Sequence, residues 1–172
     1  LEGLHLDSHQ PDVEAIRWLG KIGAVVQQTE LGLQVTGTGK VHGFGDLDAS
    51  SFPDASLCLA AVAAVADSPS RIYGLETLPL KESDRIEVMA RSLAKAGCGV
   101  GAGTSDLRIS PLQGNSRPTA IDPVGDHRIA MSMAVLATKR SGISIVDPKC
   151  VTKSYPNFWK DLRKVYEGNE GQ

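Results

Sequence analysis

The sequence predicts an α/β (α+β) fold built from pseudo-symmetric repeats, with buried helices inside and sheets outside. Three observations carry that expectation. First, segments recur at a nearly constant spacing. Leu19-Gly20-Lys21-Ile22-Gly23 returns 74 residues later as Leu93-Ala94-Lys95-Ala96-Gly97, and Gly32-Leu33-Gln34-Val35 returns at the same offset as Asp106-Leu107-Arg108-Ile109. Ser70-Arg71-Ile72-Tyr73 and Lys81 return 72 residues on, as Gly142-Ile143-Ser144-Ile145 and Lys153. One such match is chance; four in the same order indicate a duplicated unit, present in a little over two copies. Second, short strands alternate with helices along the whole chain. Third, the helices are of two kinds, amphipathic and apolar nearly all round. The second kind must be covered on every side, which places it between layers.

Each element follows from local chemistry. An opening helix closes at Gly23, as C-terminal caps often do. Two strands follow, 24–28 and 31–36, joined by a polar turn, and a third covers 44–48. Segment 54–66 is an apolar helix opened by Pro53-Asp54, where proline suits the first turn and an acid suits the positive end of the dipole. A strand at 71–75 leads to the amphipathic helix 84–96, with Ile86, Met89, Ala90 and Leu93 on one face and Glu87, Arg91 and Lys95 on the other. Strands at 98–102 and 106–110, a Gly/Pro/Ser-rich loop and a strand at 119–122 come next. The apolar helix 127–138, a strand at 143–147 and a last amphipathic helix carrying Phe158, Trp159, Leu162, Val165 and Tyr166 complete the chain.

Composition excludes several classes. With 18 Lys+Arg against 20 Asp+Glu the net charge is −2, so no global field favours nucleic acid or a membrane surface. The longest apolar run, 57–66, is too short to span a bilayer. Cys58, Cys98 and Cys150 match neither a disulfide framework nor a zinc pattern and read as reduced thiols of a cytoplasmic protein. Walker A, G-x-G-x-x-G, H-E-x-x-H and G-x-S-x-G motifs are absent from the sequence. Leu1 falls inside a strand-like segment, so the sequence reads as a fragment.

The informative residues sit at helix starts. Asp54 alone reads as a first-turn acid. Lys81 and Arg85 alone read as solvated charge, yet two cations at a helix N-terminus oppose its dipole and suit an anion instead. His127 and Arg128 open a helix too apolar to be exposed, so Arg128 needs Asp126, another acid or a ligand anion as partner. Lys153 alone is an ordinary surface lysine; the repeat gives it the position of Lys81. If symmetry brings these starts together, Asp54, Lys81, Glu82, Arg85, His127, Arg128 and Lys153 form one pocket for an anionic, phosphorylated substrate with acid–base chemistry beside it.

Phe52-Pro53-Asp54-Ala55, Leu80-Lys81-Glu82-Ser83-Asp84-Arg85, Gly125-Asp126-His127-Arg128-Ile129-Ala130-Met131 and the run from Asp147-Pro148 to Lys153-Ser154-Tyr155-Pro156 occur in the order found in the EPSP synthase family. The resemblance covers essentially the whole chain. A sister family, which transfers enolpyruvyl to UDP-N-acetylglucosamine, shares the fold but lacks the K-E-[ST]-D-R and D-H-R pair. A non-catalytic anion-binding domain of the same fold is the alternative of a different class, against which the intact Asp54, Glu82 and His127 set speaks.

The resemblance implies a fold of two domains, each an array of βαβαββ units, with residues 1–172 forming one domain that matches most of the C-terminal one. The N-terminal domain would be a partner lying outside this sequence. It implies transfer of the enolpyruvyl group of phosphoenolpyruvate to the 5-hydroxyl of shikimate 3-phosphate through a tetrahedral intermediate, without metal. Asp54 then resembles the shikimate 3-phosphate contact and proton acceptor, Lys81 a lysine touching both substrates, and Glu82 the acid–base group at the methylene carbon. Arg85, Arg128 and Lys153 resemble the cations that hold phosphoenolpyruvate, with His127 in support. Some members carry Asn where this chain has Thr77, so that contact is not carried over. Protonation of the methylene would require burial of Glu82 to outweigh the neighbouring Lys81.

Overall fold

A computed structural model describes residues 1–168. Helix α1 (Val13–Lys21) leads into the antiparallel hairpin β1 (Val25–Gln28) and β2 (Leu33–Thr36). A full βαβαββ unit follows: β3 (Gly45–Asp48), α2 (Ser56–Ala63), β4 (Ser70–Tyr73), α3 (Arg85–Ala96), β5 (Gly99–Ala102) and β6 (Asp106–Ser110). Its four strands form one sheet in the order β3-β4-β6-β5, with β3 parallel to β4 and the other pairs antiparallel. The next unit supplies β7 (Thr119–Ile121), α4 (His127–Ala137), β8 (Ile143–Ile145) and α5 (Phe158–Gly168), with β7 parallel to β8. The hairpin α1-β1-β2 matches the last three elements of a unit, so the described residues hold a little over two units.

Apolar helices α2 and α4 pack on each other at the centre. Leu57, Leu59, Ala60 and Ala63 of α2 meet a core that includes Ile129, Met133 and Leu136 of α4, Ile72 of β4, Met89 and Leu93 of α3 and Leu107 of β6. The many alanines of α2 allow close approach. Only Cys58 on α2 and Val135 on α4 are exposed, so these helices are covered nearly all round. Local caps end the elements where expected. Asp84 accepts from the Glu87 N–H at 3.1 Å and starts α3; Gly97, at φ 108°, ends it in the left-handed conformation that lacks a Cβ penalty.

Two expectations shift. Apolar helix 54–66 begins at Ser56, because 53–55 form a turn closed by the Ser56 hydroxyl donating to the Pro53 carbonyl at 2.6 Å. Lys81 lies outside α3, just after a 3₁₀ turn at Leu78–Leu80, and Lys153 ends the 3₁₀ helix Pro148–Lys153.

The topology positions the site. In a parallel βαβ unit the connecting segment leaves the carboxyl end of one strand before the helix returns. Asp54 follows β3, Lys81 to Arg85 follow β4, Asp126 to Arg128 follow β7, and Lys153 follows β8. All four segments therefore emerge from the carboxyl ends of parallel strands.

Candidate active site

Arg85 is the centre of the charged cluster. Its side chain is 2% exposed, which is affordable only with partners. Nε donates to Asp126 Oδ2 at 2.8 Å and Nη2 reaches Asp126 Oδ1 at 3.4 Å. Nη1 donates to Asp54 Oδ1 at 2.6 Å, and Nη2 donates to Glu82 Oε2 at 2.5 Å. Three carboxylates thus surround one guanidinium.

The remaining charges form the rim. Lys81 Nζ lies 3.5 Å from Asp54 Oδ2, and Arg128 Nη2 lies 3.6 Å from the same oxygen. Lys153 Nζ lies 3.8 Å from Glu82 Oε1, and His127 Nδ1 lies 3.9 Å from it. All seven residues singled out in the sequence meet in one place. Their functional atoms share one face of the domain, at the carboxyl ends of β3, β4, β7 and β8.

The sequence offered Asp126, another acid or a ligand anion as the partner of Arg128, and gave Asp126 no other role. The Asp126 side chain is fully buried, caps α4 by accepting from the Arg128 N–H at 2.9 Å, and spends its charge on Arg85. The Ser83 hydroxyl donates to it at 3.0 Å. Arg128 turns its guanidinium to Asp54 instead. The sequence signal was there: an acid capping a helix too apolar for solvent must find a buried cation. Arg85 likewise differs from the open cation expected, since its donors are engaged by acids.

Electrostatics follow the geometry. Burial alone would raise the Asp126 carboxyl, but the Arg85 hydrogen bonds and charge, the Arg128 N–H and the Ser83 hydroxyl hold it below the usual carboxylate range. Burial would lower Arg85, and its three acids raise it instead. Glu82 is also lowered, first by its own backbone N–H, then by Arg85 and Lys153, which together outweigh its partial burial and the nearby Asp126. Lys81, the neighbour expected to oppose a rise at Glu82, faces Asp54; Arg85 and Lys153 take that role. His127 is lowered chiefly by burial, helped by Lys153 and Arg128, with Asp126 and Glu82 opposing. Its Nδ1 is buried without a hydrogen-bond partner, an uncommon state for a native polar atom.

The cluster holds four cations, three carboxylates and one imidazole, and Lys81, Arg128 and Lys153 form its accessible rim. Side-chain exposure is 35% at Lys81, 33% at Arg128 and 52% at Lys153. Such a set suits an anion, with arginines as forks and lysines as point charges. A separate groove of 460 Å³, lined by Ala134, Ile145, Trp159, Leu162 and Tyr166 among others, is mainly apolar and holds none of the seven. Among the described residues no cluster of His, Cys, Asp and Glu could hold a metal ion.

Comparison with known proteins bears on the family and the fold. The sequence profile of EPSP synthase (3-phosphoshikimate 1-carboxyvinyltransferase) matches residues 1–162. A 3-phosphoshikimate 1-carboxyvinyltransferase of Methanoculleus marisnigri is 41% identical over 160 residues, covering 93% of this chain and 37% of that protein. The enzyme of that name from Methanoregula boonei is 42% identical over 167 residues, covering 96% and 38%. An EPSP synthase structure from Acinetobacter baumannii superposes with a TM-score of 0.79 at 25% identity, over 96% of this chain and 41% of that one. The chain thus spans under two fifths of the length of these curated relatives. Its enolpyruvyl transferase fold and its matched sequence together place the chain in the EPSP synthase family.

Proposed function

We propose that this chain forms one wall of the cleft in which the enolpyruvyl group of phosphoenolpyruvate passes to the 5-hydroxyl of shikimate 3-phosphate, with release of phosphate. The N-terminal domain of the same enzyme supplies the opposite wall. The observation that carries this reading is the meeting of Lys81, Arg85, Arg128 and Lys153 around Asp54 and Glu82 at the carboxyl ends of the parallel strands.

In this reading Lys81, Arg85, Arg128 and Lys153 bind the carboxylate and phosphate of phosphoenolpyruvate and stabilise charge as it develops. The Asp54 carboxylate, held by Lys81, Arg85 and Arg128, faces shikimate 3-phosphate and accepts the proton of its 5-hydroxyl. Lys81 stands beside Asp54 and touches both substrates. Glu82 delivers a proton to the methylene carbon and removes one when the intermediate collapses. His127 lies against Glu82 and shapes its surroundings. No cofactor enters this chemistry. Residues 1–172 act as one C-terminal domain portion of the enzyme, and three free thiols suit a cytoplasmic setting.

The test is phosphate release from phosphoenolpyruvate and shikimate 3-phosphate. The chain alone is expected to turn over barely at all, and a mixture with the N-terminal domain of a relative is expected to turn over. Asp54→Asn in that mixture lowers kcat by about 100-fold or more, as loss of a proton acceptor does. Absence of release from a mixture in which both parts are folded and associated would overturn the reading. Full turnover by the chain alone would overturn the division of the cleft between two domains.

A further inference from the structure

The carboxylates around Arg85 divide into two classes. Asp126 occupies the Nε/Nη2 edge, is wholly buried, and is tied down by the Arg128 N–H and the Ser83 hydroxyl. Leaving would break every one of those bonds at once. Asp54 and Glu82 share the outer Nη1/Nη2 edge, with side chains 25% and 39% exposed, and can turn to water. A carboxylate or phosphate seeking a forked contact with Arg85 finds only that outer edge, and two acids already hold it.

We propose that the substrate anion displaces Glu82 and Asp54 from the outer edge of Arg85, and that the displaced Glu82 takes up a proton from solvent. This deepens the reading above and rests on it: binding itself would load the acid that the proton transfer to carbon requires. Asp126 is then a positioning residue, keeping Arg85 fixed while its outer partners exchange.

Three features support the exchange. Glu82 faces Arg85 of α3, Lys153 of the 3₁₀ helix, His127 at the start of α4 and, behind Arg85, Asp126. Without an anion, its own backbone N–H and then Arg85 and Lys153 keep it ionised. When both cations turn to a substrate dianion, those supports leave and a negative charge arrives, and each change favours the protonated form. Second, Lys81, Arg85, Arg128 and Lys153 carry four positive charges against three negative ones on Asp54, Glu82 and Asp126, so with neutral His127 the cluster is +1. A dianion turns that to −1, and uptake of one proton restores neutrality. Third, the proton has a route, because Glu82 lies at the rim.

Isothermal titration calorimetry of the 172-residue chain with sulfate, which stays doubly ionised, tests this. Titrations at about pH 5 in buffers of different ionisation enthalpy count the protons bound. Uptake on the order of half a proton per sulfate is expected, lost in Glu82→Gln and kept in His127→Asn. Glu82→Gln is also expected to bind sulfate about 3- to 10-fold more tightly, since its side chain no longer competes as a charge. Binding heat that does not depend on buffer would overturn the exchange while leaving the anion site intact. Uptake that persists in Glu82→Gln and vanishes in His127→Asn would overturn it in favour of the imidazole. Complete absence of sulfate binding would overturn the anion site and, with it, the reading of function.

Discussion

Replacing Asp126 by asparagine changes one oxygen to an NH2 group and removes the charge that anchors Arg85. Asn still caps a helix well, so the bond from the Arg128 N–H survives and the loss falls on Arg85. Two contacts from Arg85 and the Ser83 hydroxyl bond are disturbed. Stripping a buried ion of its partner costs about 3–5 kcal/mol, and hydrogen bonds to charged groups contribute ~1.5–3 kcal/mol each. Asp54 and Glu82 remain to neutralise part of Arg85, which brings the expected loss down to about 2–4 kcal/mol. In a domain of this size that lowers Tm by roughly 5–15 °C. Urea unfolding followed by circular dichroism reads the free energy directly, and a cycle with Arg85→Met isolates the pair. A coupling of at least ~1.5 kcal/mol is expected, because the double variant no longer buries an unbalanced guanidinium. If Asp126→Asn unfolds within ~0.5 kcal/mol of the parent, the two exposed acids suffice to balance Arg85 and the central role of Asp126 is wrong.

Lowering pH should weaken the fold in two stages. His127 sits below its usual 6.5, so between that value and its lower folded one the unfolded chain binds more protons and stability falls as pH falls; Glu82 and Asp126, lowered from 4.5 and 3.8, add a second loss at more acid pH. His127→Asn flattens the first stage, and unchanged unfolding across it in the parent would refute the assignment. Gly74→Ala should destabilise by more than ~1 kcal/mol, since φ is +79° and a Cβ would lie 2.7 Å from the Ser50 N in the segment leading to Asp54; a neutral effect in urea unfolding would contradict this. Met89→Ala, at a fully buried position, should lose about 2–5 kcal/mol, and a loss below that range would mean the core around α3 collapses into the vacancy. Thiol titration near pH 8 should modify Cys58, which is exposed, well before Cys98, whose burial pushes its thiol up to about 11; equal rates would count against the burial of Cys98.

Periodicity and punctuation carried most of the architecture. The apolar helices, the glycine stops at Gly23 and Gly97 and the strand positions are local features, and each is set by residues within a few places of one another. The recurrence of segments 72–74 residues apart extended that local reading to a repeated unit. It also singled out Lys153 as the counterpart of Lys81, because a repeat tells which positions are equivalent even when it does not say how near they lie. The start of α2 was misjudged by two residues because Pro53 and Asp54 suit a turn as well as a helix, and only the Ser56 hydroxyl bond to Pro53 distinguishes them.

Composition and spacing by themselves settled that the chain folds as alternating strands and helices with two helices covered nearly all round, and that its notable charges stand at helix starts or in the segments leading to them. Pairing was decided by tertiary structure alone. Arg85 and Asp126 are 41 residues apart, and Arg85 and Asp54 are 31 apart; nothing local states that the cation of one repeat is held by an acid of another. The physical reason is that ion pairing depends on distance and desolvation, and both are fixed only when α2, α3 and α4 pack and expel water from the ends of their strands.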